Sequence, residues 1–243
     1  MSEQQTELWL KEQDRLREQI ILEDAAGGQE FFRLIAGLDI SYSKYDFSKA
    51  VVTLVVLDSD LNIVYSHSSK LNDIVVPYIP GFLAFREVAP LLNEITFLQK
   101  SNPELMPDVV LIDGNGILHK NGFGLASHFG VCSDMVTIGV AKNPYIFENV
   151  SDSKRRSKES YKCSSETLKL VGDYFEIKHP LTDKVVGVGI KTTVEAKKPV
   201  YVSVGHKCSL STAISVTVKC CKYRVPEPLR LADKISRHEL SKF

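Results

Sequence analysis

The run Val51-Val52-Thr53-Leu54-Val55-Val56-Leu57 constrains the fold more than any other stretch. It is apolar but for Thr53, and it reads as a strand buried inside a covered sheet. A turn-like stretch, Ser43 to Ser48, joins it to an earlier strand expected over Phe31 to Ile40. Asp58-Ser59-Asp60 is turn chemistry, and Ile63 to Ser68 reads as a third strand. Three consecutive strands with short links predict an antiparallel meander. Ahead of them, Trp9, Gln13, Leu16 and Ile20 fall at helical spacing, so residues 5–24 read as a helix closed by Gly27-Gly28.

Beyond Pro80-Gly81 the period turns helical through about Leu98. Val109 to Ile112 is a continuous apolar strand ending at Asp113-Gly114, Asn121 to Phe129 a short helix, and Val136 to Val140 another buried strand. Tyr174 to Ile177 and Val185 to Ile190 form a candidate hairpin, and Val200 to Val204 is a further strand. Leu210 to Val218 fits helical spacing, and a last helix is expected from Pro228 to about Leu240. The stretch from Asn149 to Ser165, with Lys154, Arg155, Arg156 and Lys158, reads as an exposed basic loop. No repeat or linker divides residues 1–243. The expected class is α/β, one domain with a central mixed sheet of an antiparallel meander plus parallel strands, flanked by helices.

Lys plus Arg and Asp plus Glu both number 30, so the net charge is zero. Bulk charge therefore neither demands nor excludes a nucleic-acid partner, which a local basic surface would have to hold. The five cysteines, Cys132, Cys163, Cys208, Cys220 and Cys221, match neither a disulfide framework nor a zinc site. Reduced thiols in the cytosol or nucleus are expected, with Cys220-Cys221 on a helix. The polar start Met-Ser-Glu-Gln-Gln is not expected to direct secretion, Asn149-Val150-Ser151 is not expected to be glycosylated, and no apolar run approaches a membrane span. Gly187 to Thr192 resembles a phosphate loop only loosely, and no nucleophile elbow is present.

Acids set in apolar runs carry the chemistry. Asp39 ends or nearly ends Leu34-Ile35-Ala36-Gly37-Leu38, and Asp113 ends Val109 to Ile112. A carboxylate there is costly to bury unless paired or metal-bound, and two on neighbouring strands suit a hard cation. Glu87, on the helix after Pro80-Gly81, adds a third. Taken alone, these acids read first as strand-end turn formers and solvated helix charges, and His119 as a structural histidine.

Four blocks settle the choice. They are Gly37 to Tyr42, Pro77 to Glu87, Asp113 to His119 with Gly122 to His128, and Thr137 to Lys142, supported by Val202 to Lys207 and Tyr223 to Pro228. In this order they resemble the endonuclease V family over about residues 31–240. The resemblance implies an RNase H-like fold and phosphodiester hydrolysis with Mg²⁺, for which Mn²⁺ can substitute. It maps the catalytic acids and metal ligands onto Asp39, Glu87, Asp113 and Asp233, the last in a form like the animal members, where bacterial relatives can carry histidine. Lys142 is implied to offset phosphate charge or orient water. Pro77-Tyr78-Ile79-Pro80 resembles the family's wedge, stiffened by two prolines; composition alone favours an ordinary loop-to-helix turn around a buried tyrosine. The implied inosine pocket comprises Leu83, Gly114, Asn115, Gly116, Leu118, His119, Gly124, Ala126 and Ser127. Lys154, Arg155, Arg156 and Lys158 are assigned to phosphate contacts. Expected partners are inosine-containing RNA, in preference, and deoxyinosine-containing DNA, with no membrane. A monomer in cytoplasm and nucleus or nucleolus is expected. A nuclease of the same fold with another substrate, and an inosine-binding module without catalysis, are the competing readings.

Overall fold

A computed structural model describes residues 3–24, 32–147, 161 and 164–242. Eight strands form one sheet: β1 (Ile35–Tyr42), β2 (Ala50–Leu57), β3 (Ile63–Leu71), β4 (Val109–Asp113), β5 (Thr137–Ala141), β6 (Tyr174–Lys178), β7 (Val185–Ile190) and β8 (Val200–His206). Their order is β3-β2-β1-β4-β5-β8-β7-β6. The meander β1-β2-β3 is antiparallel, while β4 and β5 run parallel to β1. That arrangement is RNase H-like. The candidate hairpin forms as β6 and β7, and β8 joins β7 and β5 antiparallel.

Strand alternation sorts the core into two layers. Ala36, Leu38, Val110 and Ile112 face α2 (Ala84–Ser101) and α3 (Leu125–Ser133), packing with Leu91, Ile95, Leu98 and Phe129. Ile35, Val109 and Leu111 face the other way, towards α4 (Leu210–Lys219) and α5 (Glu227–Leu240), with Ala213, Val216 and Leu229. Gly37 lies on this second face, where a β-carbon would overlap the Pro228 carbonyl, so only glycine lets α5 settle on β1. The residues that share Gly37's parity, Asp39 on β1 and Asp113 on β4, therefore come under α5.

Several boundaries depart from the sequence reading. The N-terminal helix α1 spans Glu3–Arg17 and stops short of residue 24. Beyond it the backbone pairs with the end of β8, Lys207 N–H donating to the Ile21 carbonyl at 2.8 Å, which takes groups a longer helix would have used. The first strand starts at Ile35, because Asp108 captures the N–H groups of Arg33 and Leu34 at 2.7 and 2.9 Å. It runs past Asp39 to Tyr42, paired with β2 throughout, whereas its pairing with β4 ends at Leu38 and Ile112. Asp39 is thus inside a strand on one side and beyond the last paired rung on the other. The short helix begins at Leu125, after Gly122 at φ +63 has broken the expected start. Cys220 and Cys221 follow α4, Cys220 as its C-cap.

Candidate active site

The parallel register Leu38 to Ile112 brings Asp39 and Asp113 side by side at the same sheet edge. Helix α5 adds Asp233 and Ser236, one turn apart on the face above β1. Ser236 Oγ donates to Asp39 Oδ2 at 2.8 Å, and Ser41 Oγ lies 2.7 Å from Ser236 Oγ. Lys142, just past β5, places Nζ 2.6 Å from Asp113 Oδ2 and 3.8 Å from Asp233 Oδ1. Arg224 anchors that lysine's backbone by donating to the Lys142 carbonyl and, at 2.8 Å, to that of Pro199. Asp39, Asp113, Lys142 and Asp233 line a cleft of about 670 Å³ with Ser41, Lys44, Tyr45 and Arg237. Glu87 approaches from α2 in the other layer, hydrogen-bonded to the Tyr42 hydroxyl and close enough to feel the charges of Asp39 and Asp113.

The electrostatics are those of a site short of positive charge. Burial raises the Asp39 pKa to about 6, against the Ser236 hydrogen bond, with Asp113 and Asp233 pushing the same way. Burial likewise raises Glu87 to about 7, against the Tyr42 hydrogen bond. Burial and then Glu87 raise Tyr42, keeping its hydroxyl protonated as a donor. Partial burial opposes the charge on Lys142, but Asp113, Asp233 and Asp39 outweigh it and raise its pKa. Hydroxyl hydrogen bonds alone do not neutralise two buried carboxylates.

All four acids offer oxygen, the donor a hard cation takes. Among the described residues, no three acid, imidazole or thiol side chains already converge as a finished metal cage.

A second cleft, of about 210 Å³, adjoins the first through the turn that follows Asp113. Gly114, Asn115, His119, Gly124, Leu83, Tyr78 and Tyr145 are among its walls. Burial, then the Lys120 charge, lowers His119 to about 4, so its ring is neutral near pH 7. Its Nδ1 accepts from Asn121 N–H at 3.3 Å, which leaves the proton on Nε2 as a donor. Tyr78 is 63 % exposed at the mouth, so the Pro77-Tyr78-Ile79-Pro80 segment is no turn around a buried tyrosine.

Four of the residues expected in the pocket do not line this cleft. Leu118, Ala126 and Ser127 are fully buried, Leu118 in an apolar cluster with Ile177 and Tyr201. Gly116 is buried against β8, donating to Ser203 Oγ at 2.9 Å, and a β-carbon there would overlap the Val204 carbonyl. Gly116 lets the turn pack into the sheet. Lys154, Arg155, Arg156 and Lys158 lie outside the described residues, as do Asn149 and Cys163.

Sequence reasoning passed over Ser236 and Arg237. Arg237 Nε donates to Asp233 Oδ1 at 3.0 Å. The spacing of Asp233, Ser236 and Arg237 on an amphipathic helix is the signal that would have found them. It also gave Gln13 no role beyond helical spacing. That side chain is buried and donates to the Gly81 carbonyl at 2.9 Å, tying α1 to the second cleft.

A sequence model of the endonuclease V family matches residues 14–234. The chain belongs to the endonuclease V family. Human endonuclease V is 37 % identical over 248 residues, an alignment that covers 99 % of this chain and 85 % of the human protein. Among solved endonuclease V structures, the human catalytic domain superposes with a TM-score of 0.91 at 35 % identity, covering 100 % of this chain and 98 % of that one. A Ciona intestinalis endonuclease V, in complex with a 23mer DNA containing an inosine followed by a ribo-adenosine, gives 0.92 at 35 % identity, covering 100 % and 99 %. Membership makes the chain a nuclease, and each of the four sequence blocks that carry the resemblance contributes walls to the two clefts.

Proposed function

We propose that this chain is a Mg²⁺-dependent endonuclease that hydrolyses the second phosphodiester bond on the 3′ side of inosine. Products carry a 5′-phosphate and a 3′-hydroxyl, single-stranded inosine-containing RNA is preferred over deoxyinosine DNA, and Mn²⁺ can replace Mg²⁺. One observation carries the reading: an acid cleft short of positive charge and a small second cleft share the turn Asp113-Gly114-Asn115. A base held in the second cleft leaves its own backbone lying across the first.

Asp39 and Asp113 would hold the metal, with Glu87 and Asp233 beside them. Bound Mg²⁺ supplies Lewis acidity and charge neutralisation for attack of water on the phosphodiester. Lys142 presents its ammonium at the same point, where it offsets phosphate charge. Ser236 and Ser41 fix the Asp39 carboxylate, and Tyr42 fixes Glu87. Neutral His119 donates from Nε2 to a carbonyl oxygen, which inosine has where adenosine has an amino group. Tyr78 provides a ring to stack where the base leaves its neighbours.

The sugar preference rests on family resemblance, with Asp233 in its animal-like form. A 2′-hydroxyl near the cut gives and accepts hydrogen bonds that deoxyribose cannot replace. The Ciona complex, with a ribose directly after inosine, marks the first position to test. Inosine-containing DNA strands with one ribose at successive positions should recover most of the RNA rate when that ribose lies next to the scissile bond. If no single ribose does so, the 2′-hydroxyl account fails.

A further inference from the structure

The loop between β1 and β2 carries a feature that neither the fold nor the hydrolysis uses. Tyr45 is 99 % exposed and Phe47 70 % exposed. The loop that presents them is firmly built. Ser43 Oγ accepts from the N–H groups of Tyr45 and Asp46, both at 3.2 Å, and Asp46 Oδ1 accepts from Ser48 Oγ at 2.6 Å. Ser43 N–H donates to the Lys49 carbonyl at 3.0 Å, and Arg86, the neighbour of Glu87, donates to the Phe47 carbonyl at 2.9 Å. An aromatic ring held out by an ordered loop contributes nothing to the core, and leaving it in water forgoes the favourable burial such a ring usually finds.

Its surroundings state what it faces. Lys44 and Tyr45 line the acid cleft with Asp39, Asp113 and Lys142, and Arg237 lines the same cleft. No residue of the 43–49 loop lines the second cleft, which lies across the Asp113 turn. Exposed rings interleaved with basic side chains along a groove are how proteins hold single-stranded nucleic acid without reading its sequence. If the target base occupies the second cleft and the phosphate the acid cleft, the strand continuing past the cut reaches the Tyr45 loop.

We propose that Tyr45, flanked by Lys44, is a stacking platform for a base on the 3′ side of the scissile phosphate. Together they form a binding subsite for the departing strand. This rests on the function proposed above for the two clefts, and on single-stranded nucleic acid as the occupant.

Because the ring touches almost nothing in the chain, Tyr45→Ala leaves the fold intact and Tyr45→Phe keeps the ring. Binding of a single-stranded inosine oligonucleotide is measured in Ca²⁺, and single-turnover cleavage in Mg²⁺, for wild type and both variants. Substrates carry an abasic residue at each of the first three positions past the cut in turn. Tyr45→Ala is expected to weaken binding or slow cleavage about ten-fold on the intact strand, and Tyr45→Phe less than about two-fold. At one position the abasic residue should cost wild type a similar factor and erase the difference between wild type and Tyr45→Ala. The inference is overturned if Tyr45→Ala equals wild type, if Tyr45→Phe is as defective as alanine, or if no abasic position removes the difference. An adenosine-for-inosine control read on wild type separates the two claims. Equal treatment of both strands defeats inosine recognition, while the abasic comparison in the binding assay still decides the fate of the Tyr45 subsite.

Discussion

Replacing Asp39 with asparagine should abolish cleavage and at the same time stabilise the metal-free fold. In the folded chain burial raises the Asp39 pKa from 3.8 to about 6. A difference of that size corresponds to roughly 3 kcal/mol between the protonated and ionised forms. Linkage fixes the sign. Between about pH 4 and pH 6 the folded chain holds a proton the unfolded chain has released, so stability falls as pH rises through this window. The penalty is complete above it and absent below it. Asparagine never ionises, and its Oδ1 still accepts from Ser236. In EDTA, Asp39→Asn should therefore melt above wild type by roughly 6–12 °C at about pH 8, since roughly 2–4 °C accompanies each kcal/mol in a chain of this size. The gap should close at about pH 4. Saturating Mg²⁺ should narrow it at high pH by stabilising wild type, which keeps the carboxylate. Thermal melts at the two pH values, with and without Mg²⁺, measure all of this. A variant no more stable than wild type at high pH, or a gap that ignores pH, would refute the idea of a carboxylate kept at a cost for cation binding.

Ser236→Ala removes the hydrogen bond to Asp39 Oδ2; it should raise the lower pKa of the kcat profile and cut kcat several-fold, about 1 kcal/mol, with KM little changed. A profile that does not move would show that Ser236 only packs. Tyr78→Ala should cost about ten- to a hundred-fold in binding or rate, more on inosine duplexes than on single strands, and equal, negligible losses would leave the ring without a wedge role. Gly37→Ala drives a β-carbon into the Pro228 carbonyl; a loss of roughly 1–3 kcal/mol by denaturant titration is expected, with activity falling further as α5 shifts Asp233 away from Asp39. Unchanged stability and activity would show that the helix does not rely on this contact.

The sheet was legible because its strands announce themselves. Val51 to Leu57 and Val109 to Ile112 have no helical alternative at their length, and the meander follows from the short links between the first three. The acids were legible as residues, since charge in an apolar run is conspicuous, but their convergence required the register of β1 against β4. Asp39 looked like a strand end because sequence reveals where apolarity stops, while the strand goes on for as long as β2 pairs with it. One glycine was misallocated for a related reason. A glycine that lets a ligand approach and one that lets a neighbouring strand approach look identical, and Gly116 proved to be the second kind. Ser236 was passed over because its helical spacing from Asp233 marks a shared face and not a partner; its role depends on a carboxylate 197 positions away. Tyr45 stayed hidden because exposure is a property of the fold.

The decisive experiment is single-turnover cleavage of two single-stranded RNAs that differ only in carrying inosine or adenosine at one position. The reaction is run in Mg²⁺ and in EDTA, with wild type and Asp113→Ala, and the product ends are mapped. One cut is expected, in the inosine strand alone, at the second phosphodiester bond 3′ to the base. That cut should leave a 5′-phosphate and a 3′-hydroxyl and vanish in EDTA and in Asp113→Ala. Equal cutting of the adenosine strand, or cutting undiminished in EDTA or in Asp113→Ala, would contradict a metal-dependent, inosine-directed nuclease.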